Sequence, residues 1–261
     1  MIKLEEIKSH YPPKLHGFSL GLIREYIQYK ILEAIFSSKF QGKLVFMGGT
    51  ALRIVYNNQR FSEDLDFDNL GLSKAEFEEL SKLIQNSLES EGYDVEIRNV
   101  FKEAFHCYIK IPKVLYKEGL TGFPEQKIVI RIDTTPQNFE YESELYLLDG
   151  FGVYQNIKVV SLKLLMAQKF AAALERKRAK GRDFYDLSFL LSKDIVPDMK
   201  YLNEKLQIKD RNDLKNRMME RISNIDLKKL AKDVEKFLFN PSHITRITEF
   251  ERQLENSLDS L

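Results

Sequence analysis

The chain has 261 residues, long enough for one large domain or two modest ones, and its 43% hydrophobic and 11% aromatic content excludes a disordered polymer. Forty basic against thirty-nine acidic residues leave a net charge of +1, so overall charge points to no polyanionic partner and any basic surface must be local. The one cysteine, Cys107, excludes an intramolecular disulfide and a cysteine-based metal cluster. The opening Met-Ile-Lys-Leu-Glu-Glu-Ile-Lys lacks an apolar leader core, and no run approaches the ~18 apolar residues of a membrane span. A cytoplasmic location without membrane contact is therefore expected.

In chain order, apolar residues from Leu20 to Ile35 recur at helical spacing and predict a helix within 17–40, ended by Gly42. Lys43 to Met47 reads as a short buried strand, followed by Gly48-Gly49 and a short helix from Thr50 to Tyr56. Asp64-Leu-Asp-Phe-Asp68 alternates with the period of a strand. Asp68 itself reads as a turn residue or a spare ligand. Ser73 followed by Glu76 forms a capping-box pattern for a helix reaching about Ser90. Strands are expected over 93–100, 105–111 and 127–133, while 138–152 is ambiguous, with strand character near Leu145 to Leu148. Beyond Val160 helices dominate, at about 160–179, 182–192, 211–223, 226–238 and 242–258. The expected organisation is α+β: a mixed sheet with flanking helices over 1–155, then an all-helical domain over 156–261.

Two segments carry chemistry. Gly48-Gly49 between strand and helix exposes backbone N–H groups where phosphate is favoured, and Thr50 adds a hydroxyl. Taken alone, such a pair is more often just a tight turn. Asp64 and Asp66, two apart on a strand, project from one face with Leu65 and Phe67 behind them. Side-by-side carboxylates repel, and a divalent cation relieves that repulsion; oxygen donors of this type suit Mg²⁺, which keeps waters and bridges to phosphates. Asp-x-Asp on its own is also found at solvated strand edges.

The string Gly48-Gly49-Thr50-Ala51-Leu52, followed by Arg60-Phe61-Ser62-Glu63-Asp64-Leu65-Asp66-Phe67, resembles the polymerase-beta-like nucleotidyltransferases and, more closely, the AbiEii/AbiGii-type toxins. That resemblance implies a nucleotidyltransferase-type sheet, with Asp64 and Asp66 as metal ligands and a third carboxylate on a later strand. Asp133, ending Ile128-Val-Ile-Arg-Ile-Asp133, is the matching residue, able also to help deprotonate an attacking hydroxyl; otherwise it caps a strand end. The toxins show a lysine helix and an Arg-Asp-x-x-Asp-Leu element, matched here by Lys169 to Arg176 and by Arg182-Asp183-Phe-Tyr-Asp186-Leu.

Lys169 and Arg176 share a helical face, with small Ala172 and Ala173 between them. Lys169 is a candidate to neutralise a triphosphate, and Arg176 to do likewise or contact an RNA backbone, with Asp183 a further catalytic candidate. Arg182 and Asp186 are spaced to pair across one turn, and the alternative is that Arg182, Asp183 and Asp186 stitch two helices together. Arg176-Lys177-Arg178-Ala179-Lys180 is a solvated face or a basic patch for nucleic acid. The histidines have no zinc-like spacing, and neither a Gly-x-Ser-x-Gly elbow nor a Walker A string is present.

The expectation is a Mg²⁺-dependent nucleotidyltransferase. Gly48, Gly49 and Thr50, with Lys169 and Arg176, would hold an NTP, and Asp64, Asp66 and Asp133 the metal. The helical domain would close the cleft. The resemblance implies the toxin of a toxin–antitoxin or abortive-infection system, acting on RNA (tRNA). It implies a separately encoded antitoxin that need not touch this chain. The competing readings are an acceptor that is a small molecule or protein hydroxyl, and a catalytically silent nucleotide-binding module.

Overall fold

The computed structural model describes residues 1–193 and 195–260, and for 258–260 the backbone alone. Asp194 and Leu261, which the expected second domain spans, lie outside the described residues. The chain divides into two compact units, Met1–Ala51 with Phe61–Val160, and Leu52–Arg60 with Ser161–Leu261.

The first unit is built on a seven-stranded mixed sheet: β1 (Leu44–Met47), β2 (Leu65–Asn69), β3 (Glu96–Phe101), β4 (Phe105–Ile111), β5 (Ile128–Thr135), β6 (Glu144–Gly150) and β7 (Val153–Val159). Their spatial order is β3-β4-β5-β2-β1-β7-β6. The central pairs β2–β5 and β1–β7 are parallel, whereas β1–β2 and the outer hairpins are antiparallel. β7, with its mixed Val-Tyr-Gln-Asn-Ile-Lys-Val pattern, was not legible as a strand. It carries the first unit to Val160, beyond the boundary expected at 155.

Helices α1 (Leu4–Ser9), α2 (Ser19–Phe36), α3 (Gly48–Ile54), α4 (Lys74–Ser90) and the single turn α5 (Val114–Lys117) accompany these strands. α2 packs on β5 and β7, and α4 on β3 and β4. The core between them is aromatic and aliphatic: Phe67 lies 5.4 Å from Phe46 and 6.3 Å from Phe36, and Phe77 packs against Phe101 and Phe105. α4 starts at the anticipated capping box, where Ser73 Oγ accepts from the Glu76 N–H and the Glu76 carboxylate accepts from the Ser73 N–H. Lys43 Nζ, 2.6 Å from Glu76, ties that helix start to the beginning of β1.

The second unit is helical: α6 (Leu162–Glu175), α7 (Gly181–Leu191), α8 (Met199–Leu206), α9 (Arg211–Ser223), α10 (Leu227–Val234), α11 (Thr245–Thr248) and α12 (Phe250–Ser260). α8 was not anticipated; at eight residues it is too short to establish a periodic pattern. α7 is the central element, packed by α6, α10, α11 and α12, and Arg182 is its one residue that is not buried. A helix enclosed on all sides needs apolar residues all round it, and Phe184, Leu187, Leu190 and Leu191 supply them. Residues 52–60 join this unit through paired backbone: Phe239 N–H donates to the Gln59 carbonyl, and Arg60 bridges to Leu238.

α7 meets α10 at Gly181. A Cβ there would lie 2.0 Å from the Leu230 carbonyl oxygen and 2.7 Å from Val234 Cγ2. Gly181→Ala should therefore force the two helices apart and cost about 3 kcal/mol, the upper part of the overpacking range, measurable by urea denaturation.

Candidate active site

The aspartates of the alternating segment share one face of the sheet. Leu65 and Phe67 point into the helix-covered core and are fully buried, which sends Asp64, Asp66 and Asp68 to the other side. β5 runs parallel to β2 with Asp133 directly beside Asp66, so their side chains emerge on the same side. Arg131, two residues before Asp133, stands beside Asp64. Its Nη2 lies 3.1 Å from Asp64 Oδ2 and 2.8 Å from Asp133 Oδ2, and the other Asp133 oxygen is 2.6 Å from His106 Nδ1 on β4. Burial opposes the charge on Arg131, but Asp64 and Asp133 outweigh it and raise the guanidinium above its ordinary value.

Asp68 differs from its neighbours. It lies within β2 rather than in a turn, and it is buried, accepting the Tyr141 hydroxyl at 2.7 Å and the Gln137 N–H at 2.8 Å. Both contacts anchor the 136–143 segment. Burial, and then Asp68, push the Tyr141 hydroxyl upward and keep it a donor.

The glycine turn touches this acidic face. Gly48 has φ +81°, a left-handed conformation, and a Cβ there would lie 2.3 Å from Asp66 Oδ2. Only glycine lets the backbone and that carboxylate approach so closely. α3 begins at Gly48 itself, two residues before the expected start, and Gly49 is buried in its first turn. Thr50 is wholly buried and its hydroxyl donates to the Asp64 carbonyl, so it secures the aspartate's backbone to the turn.

A second cluster lies within the helical unit, around α7. Asp186 is fully buried and receives Arg60 through two hydrogen bonds of 2.7 Å, Asn58 Nδ2 at 2.8 Å and Lys169 Nζ at 2.8 Å. Lys169 also reaches Asp183 at 3.1 Å, and Arg176 Nε lies 3.4 Å from Asp183. Burial alone would raise the Asp186 carboxyl from its ordinary 3.8, yet Arg60 and Lys169 hold it down at about 2. Three cations face two carboxylates here, and Arg176, with 36% of its side chain exposed, is the most accessible of the five. Among the described residues Arg182 does not pair with Asp186, as its spacing suggested; Arg60 occupies that carboxylate. Arg182 instead lines a hollow of about 300 Å³ with Arg178, Lys180 and Phe237.

Residues 30–256 match the family model described as the nucleotidyl transferase AbiEii toxin of type IV toxin–antitoxin systems. The chain belongs to that family. The chain is similar in fold to the crystal structure of JHP933 from Helicobacter pylori, at 17% identity and TM-score 0.58, covering 92% of this chain and 93% of that one. It is likewise similar to a candidate nucleotidyltransferase from H. pylori, at 20% identity and TM-score 0.60, covering 92% and 96%. No curated protein matches. Family membership makes the chain a nucleotidyltransferase toxin, with an NTP as donor and an antitoxin as counterpart. No helix among the described residues is long and apolar enough to cross a membrane.

Among those residues no three His, Cys, Asp or Glu side chains form a ready-made metal cage. The donor chemistry nonetheless suits a hard cation. Mg²⁺ commonly takes one or two carboxylates and completes its shell with water and phosphate, and Asp66 and Asp133 are in-register neighbours. The contributions of Arg60 and Asn58 to the helical unit had no sequence signal, because both partner a residue more than 120 positions away. Arg131 did have one: it stands at the same two-residue alternation as Asp133.

Removing Asp186 strands Arg60 and Lys169 without their shared counter-ion. Asp186→Ala should lower stability by roughly 3–5 kcal/mol in urea melts at neutral pH. A carboxyl depressed from 3.8 to about 2 stabilises the fold fully above its ordinary value and loses that contribution as pH falls through about 2. The acid limb of the stability curve between those values should therefore be shallower in the variant than in the wild type.

Proposed function

We propose that this chain is a divalent-cation-dependent nucleotidyltransferase that joins a nucleoside monophosphate to an RNA hydroxyl, tRNA being the leading acceptor. The observation carrying this reading is the set of three carboxylates on one sheet face, with Asp66 in contact with Gly48. Asp64, Asp66 and Asp133 are the residues that would hold Mg²⁺. When bound, the ion would supply polarisation of the phosphate and neutralisation of the pyrophosphate leaving group.

In the transfer, the acceptor oxygen bonds to the α-phosphorus as the α–β phosphoanhydride bond breaks, and pyrophosphate departs. Asp133, held by His106 and Arg131, is assigned as the carboxylate that takes the proton leaving the hydroxyl. Gly48 and Gly49 are assigned to phosphate through the backbone N–H groups at the start of α3, and Thr50 keeps Asp64 in place. Lys169 and Arg176 are assigned to phosphate charge, with Asp183 orienting both. The acceptor assignment is favoured by the basic run Arg176 to Lys180, in which Lys177, Arg178 and Lys180 are exposed.

Incubation of the full chain with labelled NTPs, Mg²⁺ and total RNA should place label on RNA and none on protein. Asp64→Asn and Asp66→Asn should each reduce transfer at least 100-fold while retaining the wild-type circular dichroism spectrum, as expected for loss of a metal ligand. Label appearing on protein, or on a small molecule in the extract, would replace the RNA assignment. Bacteria expressing Asp64→Ala should outgrow those expressing wild type; equal growth at equal expression would remove the toxic activity from this site.

A further inference from the structure

The acidic face contains a cation of its own. Arg131 sits two residues before Asp133 on one strand and beside Asp64 on the next, and a single nitrogen, Nη2, contacts both carboxylates. Those are the first and last residues of the set assigned to the metal. With Asp64, Asp66 and Asp133 ionised, the face carries three negative charges and Arg131 returns one. The fit of the guanidinium is incomplete: its Nε is buried and makes no hydrogen bond. A closed structural ion pair would satisfy that donor, because a buried unpaired N–H opposes folding. The side chain is also 35% exposed, which leaves it space to swing away.

We propose that Arg131 is a built-in counter-ion that competes with a divalent cation for Asp64 and Asp133 and so sets how tightly the face takes one. This rests on the assignment of Asp64, Asp66 and Asp133 as cation ligands. The competition has a direct origin. Each carboxylate oxygen that meets the guanidinium is lost to a metal, and the fixed positive charge repels a second cation arriving within a few ångströms. The same pairing helps hold the metal-free face together, since it sets a positive charge between carboxylates that repel one another. Arg131 therefore lowers affinity for the ion while protecting the protein that has not yet taken one up.

The test is Mg²⁺ titration by calorimetry of the full chain, with Tm recorded with and without Mg²⁺. Arg131→Gln should bind Mg²⁺ roughly tenfold more tightly than wild type, the change expected when one positive charge about 5 Å from a divalent ion is removed in a water-like medium. Its metal-free Tm should fall, and Mg²⁺ should raise its Tm by more than it raises that of the wild type. Arg131→Lys, which keeps the charge, should bind within threefold of wild type and guards against a fold defect in the glutamine variant. Equal or weaker Mg²⁺ binding by Arg131→Gln overturns the competition. Should Asp66→Asn bind Mg²⁺ as wild type does, the cation assignment itself is lost and the inference goes with it.

Discussion

Repulsion between carboxylates that the strand register places side by side is the constraint on which the site depends. β2 and β5 are parallel and in register, so Asp66 and Asp133 cannot avoid each other, and the two-residue alternation adds Asp64 to the same face. Such an arrangement persists only if opposite charge is close. Arg131 supplies it from the same alternation on β5, and His106 on β4 engages the remaining oxygen of Asp133. Gly48 then allows the backbone to approach Asp66. Every feature of this face follows from sheet register.

The helical unit handles acidic groups in the opposite way. On the sheet Asp64 and Asp133 stay partly exposed and share the Nη2 of one guanidinium. On α7, Asp186 is completely buried, and Arg60, Asn58 and Lys169 saturate its oxygens. Burying a carboxylate is costly, and this degree of pairing is what a buried ion requires. The pairing gives Lys169, Asp183 and Asp186 the stitching task that was one alternative for the Arg-Asp-x-x-Asp element, with Arg60 rather than Arg182 as the arginine on Asp186. The surplus positive charge emerges at Arg176.

What could be read in the chain was local. The capping box at Ser73, the alternation of Asp64 to Asp68, the strand over 105–111 and the helix over 211–223 each follow from residues within a few positions of one another. The sheet and the helical segment together gave the fold class, and the family resemblance rested on contiguous strings. Elements without a strong local pattern escaped notice: β7 because its polar residues blur the alternation, and α8 because it is short. Arg60 was read only as part of a motif string, since its partner lies far along the chain and spacing says nothing of such pairs. Arg131 was visible beside Asp133, but its action on Asp64 depends on strand pairing.

The passage of residues 52–60 through the helical unit has a consequence for inheritance. A C-terminal segment beginning at Ser161 carries Asp186 and Lys169 but neither Arg60 nor Asn58, so it would bury a carboxylate stripped of three of its four hydrogen bonds. The helical unit is thus not a cassette that recombination could transplant by its linear boundaries. A break in the chain near residue 160 would leave Arg60 and Asn58 on one piece and the carboxylate they hold on the other.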